Sequence, residues 1–157
     1  MVDLRRLRRA DIPRLRQFWI DRWAGDFVIV HGERFEPGHV PGFVACDWIG
    51  VVTYVIRSAD CEIVSLDSLT HQRGIGTVLL EAVAAEARRQ ACSRLVVTTT
   101  NDNLNALGFY QRRGFGIALV RPGAVDESRL LKPAIPWIGE GGIPLHDEIE
   151  LDLQLKP

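Results

Sequence analysis

The chain has 157 residues, a length that suits one domain with a full core better than two. Hydrophobic residues make up 46% and charged residues 25%, and the net charge is −1, so the balance calls for neither nucleic acid nor an anionic membrane surface. Cys46, Cys61 and Cys92 are odd in number and lack CxxC spacing, which argues against a disulfide framework or zinc knuckle and fits a reducing, cytoplasmic setting. The first residues carry no apolar h-region and no apolar stretch approaches ~18 residues, so neither a signal peptide nor a membrane span is expected. Val2 stands where N-myristoylation needs glycine.

Weak alternation over residues 2–7 predicts a first strand, and Arg5-Arg6-Leu7-Arg8-Arg9 reads as its solvated end and the entry to a helix. Asp11 is a suitable N-cap, with Pro13 in the first turn that follows. Ile12, Leu15, Phe18, Trp19 and Trp23 recur at helical spacing until Gly25 stops the helix. Residues 27–30 are a short apolar run, and residues 31–41, with Gly32, Pro37, Gly38 and Pro41, read as loop. Residues 43–48, 51–56 and 62–66 are strand-like. The turns between them, at Ile49-Gly50 and Ser58-Ala59-Asp60, are short enough for an antiparallel meander. Residues 76–90 form an amphipathic helix with Leu79, Ala82, Val83 and Ala87 on its apolar side. Residues 95–99 are a β-branched run typical of a buried strand. Residues 104–113 are helical up to Gly114, and residues 115–120 are a strand. In residues 149–155, leucine and isoleucine alternate with Glu150, Asp152 and Gln154, which gives a last strand with one buried face. Between these strands, residues 121–146 hold four prolines and read as a long loop, a length more often functional than not. The order predicts an α/β (α+β) chain with a mixed sheet and helices on its faces.

Two stretches point to chemistry. Arg73-Gly74-Ile75-Gly76-Thr77 is a glycine turn that opens a helix. A helix N-terminus offers unpaired N–H groups and a positive dipole end, and glycines let a phosphate approach the backbone. The same turn also serves as a plain strand-to-helix corner. It is neither a Walker loop nor a dinucleotide GxGxxG, because Leu79 fills the third glycine position. About thirty residues later, residues 103–115 form a short helix that delivers Tyr110 and ends on Gly114. Other constellations fail: there is no GxSxG elbow around Ser65 or Ser68, and His146-Asp147-Glu148 has no second histidine at i+4.

The two stretches, in this order, resemble the acyl-CoA-binding motifs of the GNAT superfamily of acyl-CoA N-acyltransferases, and the resemblance spans roughly residues 43–120. It implies a mixed, mostly antiparallel central sheet of six to seven strands flanked by about four helices, in one domain over residues 1–157. The superfamily's Gln/Arg-x-x-Gly-x-Gly/Ala loop corresponds to His71-Gln72-Arg73-Gly74-Ile75-Gly76, with His71 in place of glutamine or arginine. By this resemblance, backbone amides of Arg73, Gly74, Ile75, Gly76 and Thr77 hold the coenzyme A pyrophosphate. The pattern Asn-x-x-Ala-x-x-x-Tyr followed by Gly-Phe is met by Asn103, Ala106, Tyr110, Gly114 and Phe115. It implies that Asn103 bonds the pantetheine arm and that the Tyr110 hydroxyl protonates the departing thiolate. The sheet should splay near residues 66–69 and 95–99 to admit pantetheine, and an amide near Ser68 or Leu69 should polarise the thioester carbonyl. An amine is mostly protonated at neutral pH, so a base is needed. Glu62 matches the superfamily's water-mediated glutamate, and Asp67 and His71 are the other candidates.

The implied activity is transfer of an acetyl group from acetyl-CoA, as co-substrate, to a primary amine of a small molecule or peptide by direct attack, with no metal required. Neither nucleic acid nor membrane is an expected partner, and monomer and homodimer both stay open. Three rivals remain: transfer of a longer acyl group, a non-catalytic acyl-CoA-binding module, and a nucleotide-binding domain using the same loop. Acceptor specificity in the superfamily lies in segments that here are residues 18–41 and 121–146. In the second of these, Ser128, Arg129 and Lys132 could orient an acceptor or could be simply solvated.

Overall fold

A computed structural model describes residues 2–70 and 74–156. The strands are β1 (Leu4–Arg6), β2 (Val28–Val30), β3 (Glu33–Phe35), β4 (Gly42–Ala45), β5 (Gly50–Arg57), β6 (Asp60–Ser68), β7 (Arg94–Thr100), β8 (Gly116–Arg121) and β9 (Glu148–Gln154). The helices are α1 (Ile12–Arg22), α2 (Ile75–Arg89), α3 (Leu104–Arg112) and α4 (Ala124–Leu131). Seven strands form one sheet in the order β1-β4-β5-β6-β7-β9-β8, and β2 and β3 pair separately as a hairpin. Every neighbouring pair is antiparallel except β6–β7. The mixed, mostly antiparallel sheet with four helices is the architecture expected from the sequence.

Strand alternation sends successive side chains to opposite faces, and each face has its own core. One core joins Cys61, Ile63, Leu95, Val97 and Leu151 to the apolar sides of α2 and α3. The other joins Val44, Val51 and Val64 to Leu15 and Trp19 of α1 and to Val28, Val30 and Phe35 of the hairpin. α4 packs against β2 on this second side.

The parallel pairing is short. β6 and β7 are in register only from Asp60↔Arg94 to Ile63↔Val97. Across the other edge of β6, Thr53 faces Ser65 while Tyr54 faces Ile63, so Val64 is an extra residue on β6. A bulge of this kind bends its strand and ends pairing. The two strands therefore part after Ile63 and Val97. The opening includes residues 66–68 of β6 as expected, but residues 95–97 of β7 are still paired.

Four local expectations are corrected. Residues 31–41 are not all loop: β3 pairs with β2 across a two-residue turn, His31-Gly32, with φ of 42° and 79°. Residues 121–146 contain α4, which starts on Gly123 at φ 74°. The β4–β5 turn is made by Cys46, Asp47 and Trp48, all in the left-handed region, and not by Ile49-Gly50. α1 ends at Arg22, and Ala24, with φ 60°, takes the left-handed position in place of Gly25. Asp11 accepts a hydrogen bond from the Arg8 N–H (2.7 Å) and an ion pair from Arg5 (2.7 Å). It thus caps the preceding turn of 3-10 helix, and its carboxyl falls to about 2 because Arg5 bonds the charged form.

Candidate active site

A cleft of about 510 Å³ opens where β6 and β7 part. Its walls are the end of β6, the start of α2 and one side of α3. Gly74 enters α2 with φ 65°, a conformation that favours glycine, and among the described residues no atom lies within 4 Å of where a Cβ would sit. The first helical bond runs from the Val78 N–H to the Gly74 carbonyl (3.0 Å), which leaves the N–H groups of Ile75, Gly76 and Thr77 without helical acceptors. The Ile75 side chain is buried in the core, so it offers the cleft only backbone. A Cβ on Gly76 would lie 3.1 Å from the Phe109 ring, which ties the second glycine to the close approach of α2 and α3. Arg73 and His71 lie outside the described residues.

Sequence reasoning missed the cations here. Arg22, Arg112 and Arg113 line the cleft, and Asp67 is the one carboxylate among its described lining residues. Arg113 donates two hydrogen bonds to the Thr77 hydroxyl (3.0 and 2.7 Å) and lies 3.7 Å above the Phe109 ring, so it is fixed beside the α2 N-terminus. Two adjacent arginines before a glycine read as an ordinary helix end. The Phe109–Arg113 spacing of four was the only available signal.

Asn103, Ala106 and Tyr110 do line this cleft. Asn103 Oδ1 accepts from the Ala106 N–H (3.0 Å) and so caps α3, which leaves its NH₂ group for any further partner. Tyr110 packs edge-on against Phe109 and Phe115, with ring centroids 5.1 and 5.2 Å away. Burial, and then the Asp67 charge, push its phenol above the ordinary range, so it keeps its proton throughout the neutral range. Burial also raises the Asp67 carboxyl, although Trp23 Nε1–H donates to it at 2.7 Å and Arg22 stands at 3.7 Å.

Ser68 and Leu69 differ. The Leu69 N–H donates to the Ile49 carbonyl (2.8 Å), so it is not free to polarise a thioester. Backbone groups alternate in direction along a strand, so those of Leu66 and Ser68 turn toward the opening. The Ser68 hydroxyl donates to the Thr70 carbonyl (2.5 Å). The Thr70 hydroxyl is buried in the cleft with no partner among the described residues.

Glu62 lies outside this cleft, on the α1 face of the sheet, one position before the strands part. His31 Nε2 is 2.6 Å from its carboxylate, and the His31 N–H donates to Glu148 at 3.1 Å. Arg121 holds Glu148 and Glu150 (3.0 Å each) and donates to Thr98 (2.9 Å), so the bared end of β7 carries a polar network on the same face. Glu148 is 3% exposed. His31, Glu33 and Glu62 bring donor atoms within 4.8 Å of one another. Arg57 grips both Glu33 oxygens and His31 holds Glu62, so the group reads as an ion-pair network and not a ligand set.

Ser128, Arg129 and Lys132 do not lie in solvent; all three are buried, and Ser128 lines a cavity with His31 and Glu148. Ser128 donates to the Ala124 carbonyl (3.1 Å). Arg129 donates to the carbonyls of Ile135, Pro136 and Leu145 and pairs with Asp126, which holds the segment after α4 in place. Lys132 donates to the carbonyls of Trp23 and Phe27.

The model of the family described as "Acetyltransferase (GNAT) family" matches residues 4–115. The uncharacterized protein YdhI of Bacillus subtilis (strain 168) is 42% identical over 139 residues, which cover 86% of this chain and 87% of that protein. The uncharacterized protein YxbD of the same organism is 40% identical over 108 residues, covering 69% and 68%. Among structures, the IAA acetyltransferase from Bacillus cereus ATCC 14579 superposes with a TM-score of 0.76 at 23% identity, covering 99% of this chain and 100% of that one. A GNAT family acetyltransferase from Elizabethkingia anophelis with acetyl-CoA bound gives 0.72 at 21% identity, covering 98% of each. At these identities the structural likeness is one of fold. The family match runs from β1 through both strands of the opening, the glycine turn and the tyrosine helix, and the chain belongs to the GNAT family of acetyltransferases.

Proposed function

We propose that the chain is a single-domain N-acetyltransferase that moves the acetyl group of acetyl-CoA to a primary amine of a small molecule or peptide, in the cytoplasm. The observation that carries this reading is the cleft beside the parted strands, which the start of α2 and Tyr110 both line. The amides of Ile75, Gly76 and Thr77, with Arg112 and Arg113, suit the pyrophosphate of the coenzyme. The main-chain groups of Leu66 and Ser68 would take the pantetheine arm, and an N–H among them would hold the carbonyl oxygen as it gains charge. The amine would approach from the α1 face, where Glu62 takes its proton. Its nitrogen forms a bond to the thioester carbon, the carbon–sulfur bond breaks, the leaving thiolate takes the Tyr110 proton, and the nitrogen's second proton restores the phenol by way of solvent. The acetyl-CoA-bound state of the Elizabethkingia anophelis relative, with the same fold, supports the choice of donor.

The test is a melting curve with ligand, followed by turnover. Acetyl-CoA at a hundred times its dissociation constant should stabilise the fold by about 2.7 kcal/mol, visible as a rise in Tm. ATP and NAD should give none. Thiol release with a panel of primary amines should then identify acceptors. Absence of any shift at millimolar acetyl-CoA would remove the donor, and binding without thiol release from any amine would favour a non-catalytic acyl-CoA module.

A further inference from the structure

Among the described residues, the four buried acids are each well partnered. Arg5 holds Asp11 at 2.7 Å, Arg6 and Arg89 hold Glu86 at 2.7 and 2.6 Å, and Arg121 holds Glu148 at 3.0 Å. Asp102 takes a donor on each oxygen instead, from the Thr100 hydroxyl and the Glu140 N–H. Asp67 is treated differently, although its side chain is only 15% exposed. The Trp23 indole N–H reaches Oδ2 at 2.7 Å. Toward Oδ1 the described residues offer only Arg22 Nε, at 3.7 Å, and Nη2 of the same guanidinium leans on the Ser68 carbonyl at 3.5 Å. A neutral indole and a loose guanidinium do not make up for lost water. Burial therefore raises the Asp67 carboxyl, whereas the bond from Arg5 brings Asp11 down to about 2. A shielded carboxylate with one open oxygen is a site for a cation.

Its place in the sheet says which cation. Asp67 stands opposite Val51 of β5, which belongs to the core under α1, so its side chain projects to the α1 face. β6 has already parted from β7 at Ile63, the last paired residue before it. Asp67 nonetheless lines the same cleft as Gly76 and Tyr110, which come from the other face. The cleft thus runs through the opening in the sheet, with Asp67 at its α1 end. The Asp67 charge is felt at the Tyr110 phenol, which it helps to raise. The coenzyme cannot be the cation, because its phosphates are anionic and its thioester is neutral. The acceptor can, because a primary alkylamine is mostly an ammonium ion at neutral pH.

We propose that Asp67 is the acceptor-recognition residue of this site: its Oδ1 accepts a hydrogen bond from the ammonium of the incoming amine and holds it at the opening in the sheet. The inference rests on the acetyl-transfer reading above and narrows its substrate class. Aliphatic primary amines, which arrive charged, are accepted over aromatic amines, which arrive neutral. The step is one of binding and moves no proton to Asp67. Trp23 fixes the carboxylate from the other side, so that one oxygen is tethered and one is presented.

The first experiment compares wild type with Asp67→Asn by thiol release, using the best amine from the panel. The asparagine oxygen still accepts from Trp23, so Tm should stay close to wild type. Acetyl-CoA affinity should be equal or higher, since the charge removed has the sign of the ligand's own. The KM for the amine should rise at least ~tenfold, the worth of one hydrogen bond to a charged group, while kcat changes less. An unchanged amine KM overturns the assignment and leaves acetyl transfer standing. The second experiment needs no variant at Asp67. The chain has four tryptophans, and Trp23→Phe identifies the Trp23 indole N–H among their ¹⁵N NMR signals. In coenzyme A-saturated wild type that signal should move as the alkylamine is added and should stay in place with aniline. A signal that ignores the alkylamine, or follows aniline equally, overturns recognition of an ammonium by Asp67. A wild type that binds acetyl-CoA but acetylates no amine overturns both readings together.

Discussion

Tyr110 combines two roles. Its ring fills a core site between Phe109 and Phe115, while its hydroxyl carries the proposed general-acid role at the cleft that the residue lines. Tyr110→Phe keeps the first role and removes the second. Turnover should drop by ~10² or more, the value of a general acid, while acetyl-CoA affinity stays within a few-fold and the fold is preserved. Steady-state kinetics beside a ligand titration checks this, and unchanged turnover would limit Tyr110 to binding. Tyr110 could be read from sequence because Asn103, Ala106 and Tyr110 lie on one short helix, where spacing fixes geometry. Arg113 and His31 could not. Their partners, Thr77 and Glu62, are 36 and 31 residues away, and only tertiary structure brings such pairs together. Leu69 fails for a related reason: the strand's alternation was legible, but which edge of β6 would be bonded was not.

At the scale of elements, the start of α2 is the sharpest test of coenzyme binding. Gly74→Glu places a carboxylate where the pyrophosphate would sit, at ~1 kcal/mol of backbone strain, and no atom of the described residues lies within 4 Å of the new Cβ. The variant should fold and lose the acetyl-CoA-induced rise in Tm. A folded variant that still shows the full rise would move the phosphates elsewhere. The long strands and α2 were legible because their apolar periodicity is strong. The hairpin strand β3 and helix α4 were not. β3 reads Glu33-Arg34-Phe35, with one buried residue and two charges that pair with Arg57 and Glu36. α4 leaves Leu130 84% exposed and buries Arg129, so of its large apolar residues only Val125 marks the buried face.

For the molecule as a whole, the sheet separates two kinds of surface: the α2–α3 side with the glycine turn, and the α1 side with Glu62, His31 and Glu148. Lys132 binds the second side together by joining the segment after α4 to the α1–β2 connection. Burial pushes its ammonium down to about 8 from an ordinary 10.5, with Asp26 opposing. The sign follows from proton binding: between those values the unfolded chain holds the proton and the folded chain has lost it, so this group adds stability as pH rises. Denaturant melts of wild type and Lys132→Met should show wild type gaining about 2 kcal/mol on the variant between pH 7 and 9.5. A difference that stays constant with pH would mean the ammonium is not desolvated. The chain leaves the sheet at Arg121 and returns at Glu148, and those two residues sit opposite each other in register. Everything between them is a detour across one rung of a hairpin. Closing a detour twice as long costs only ~0.6 kcal/mol more, so this segment can be lengthened, trimmed or replaced while the seven strands stay paired. Descendants of one ancestral chain could thus exchange the covering above Glu148 wholesale and still inherit the glycine turn and the tyrosine helix intact.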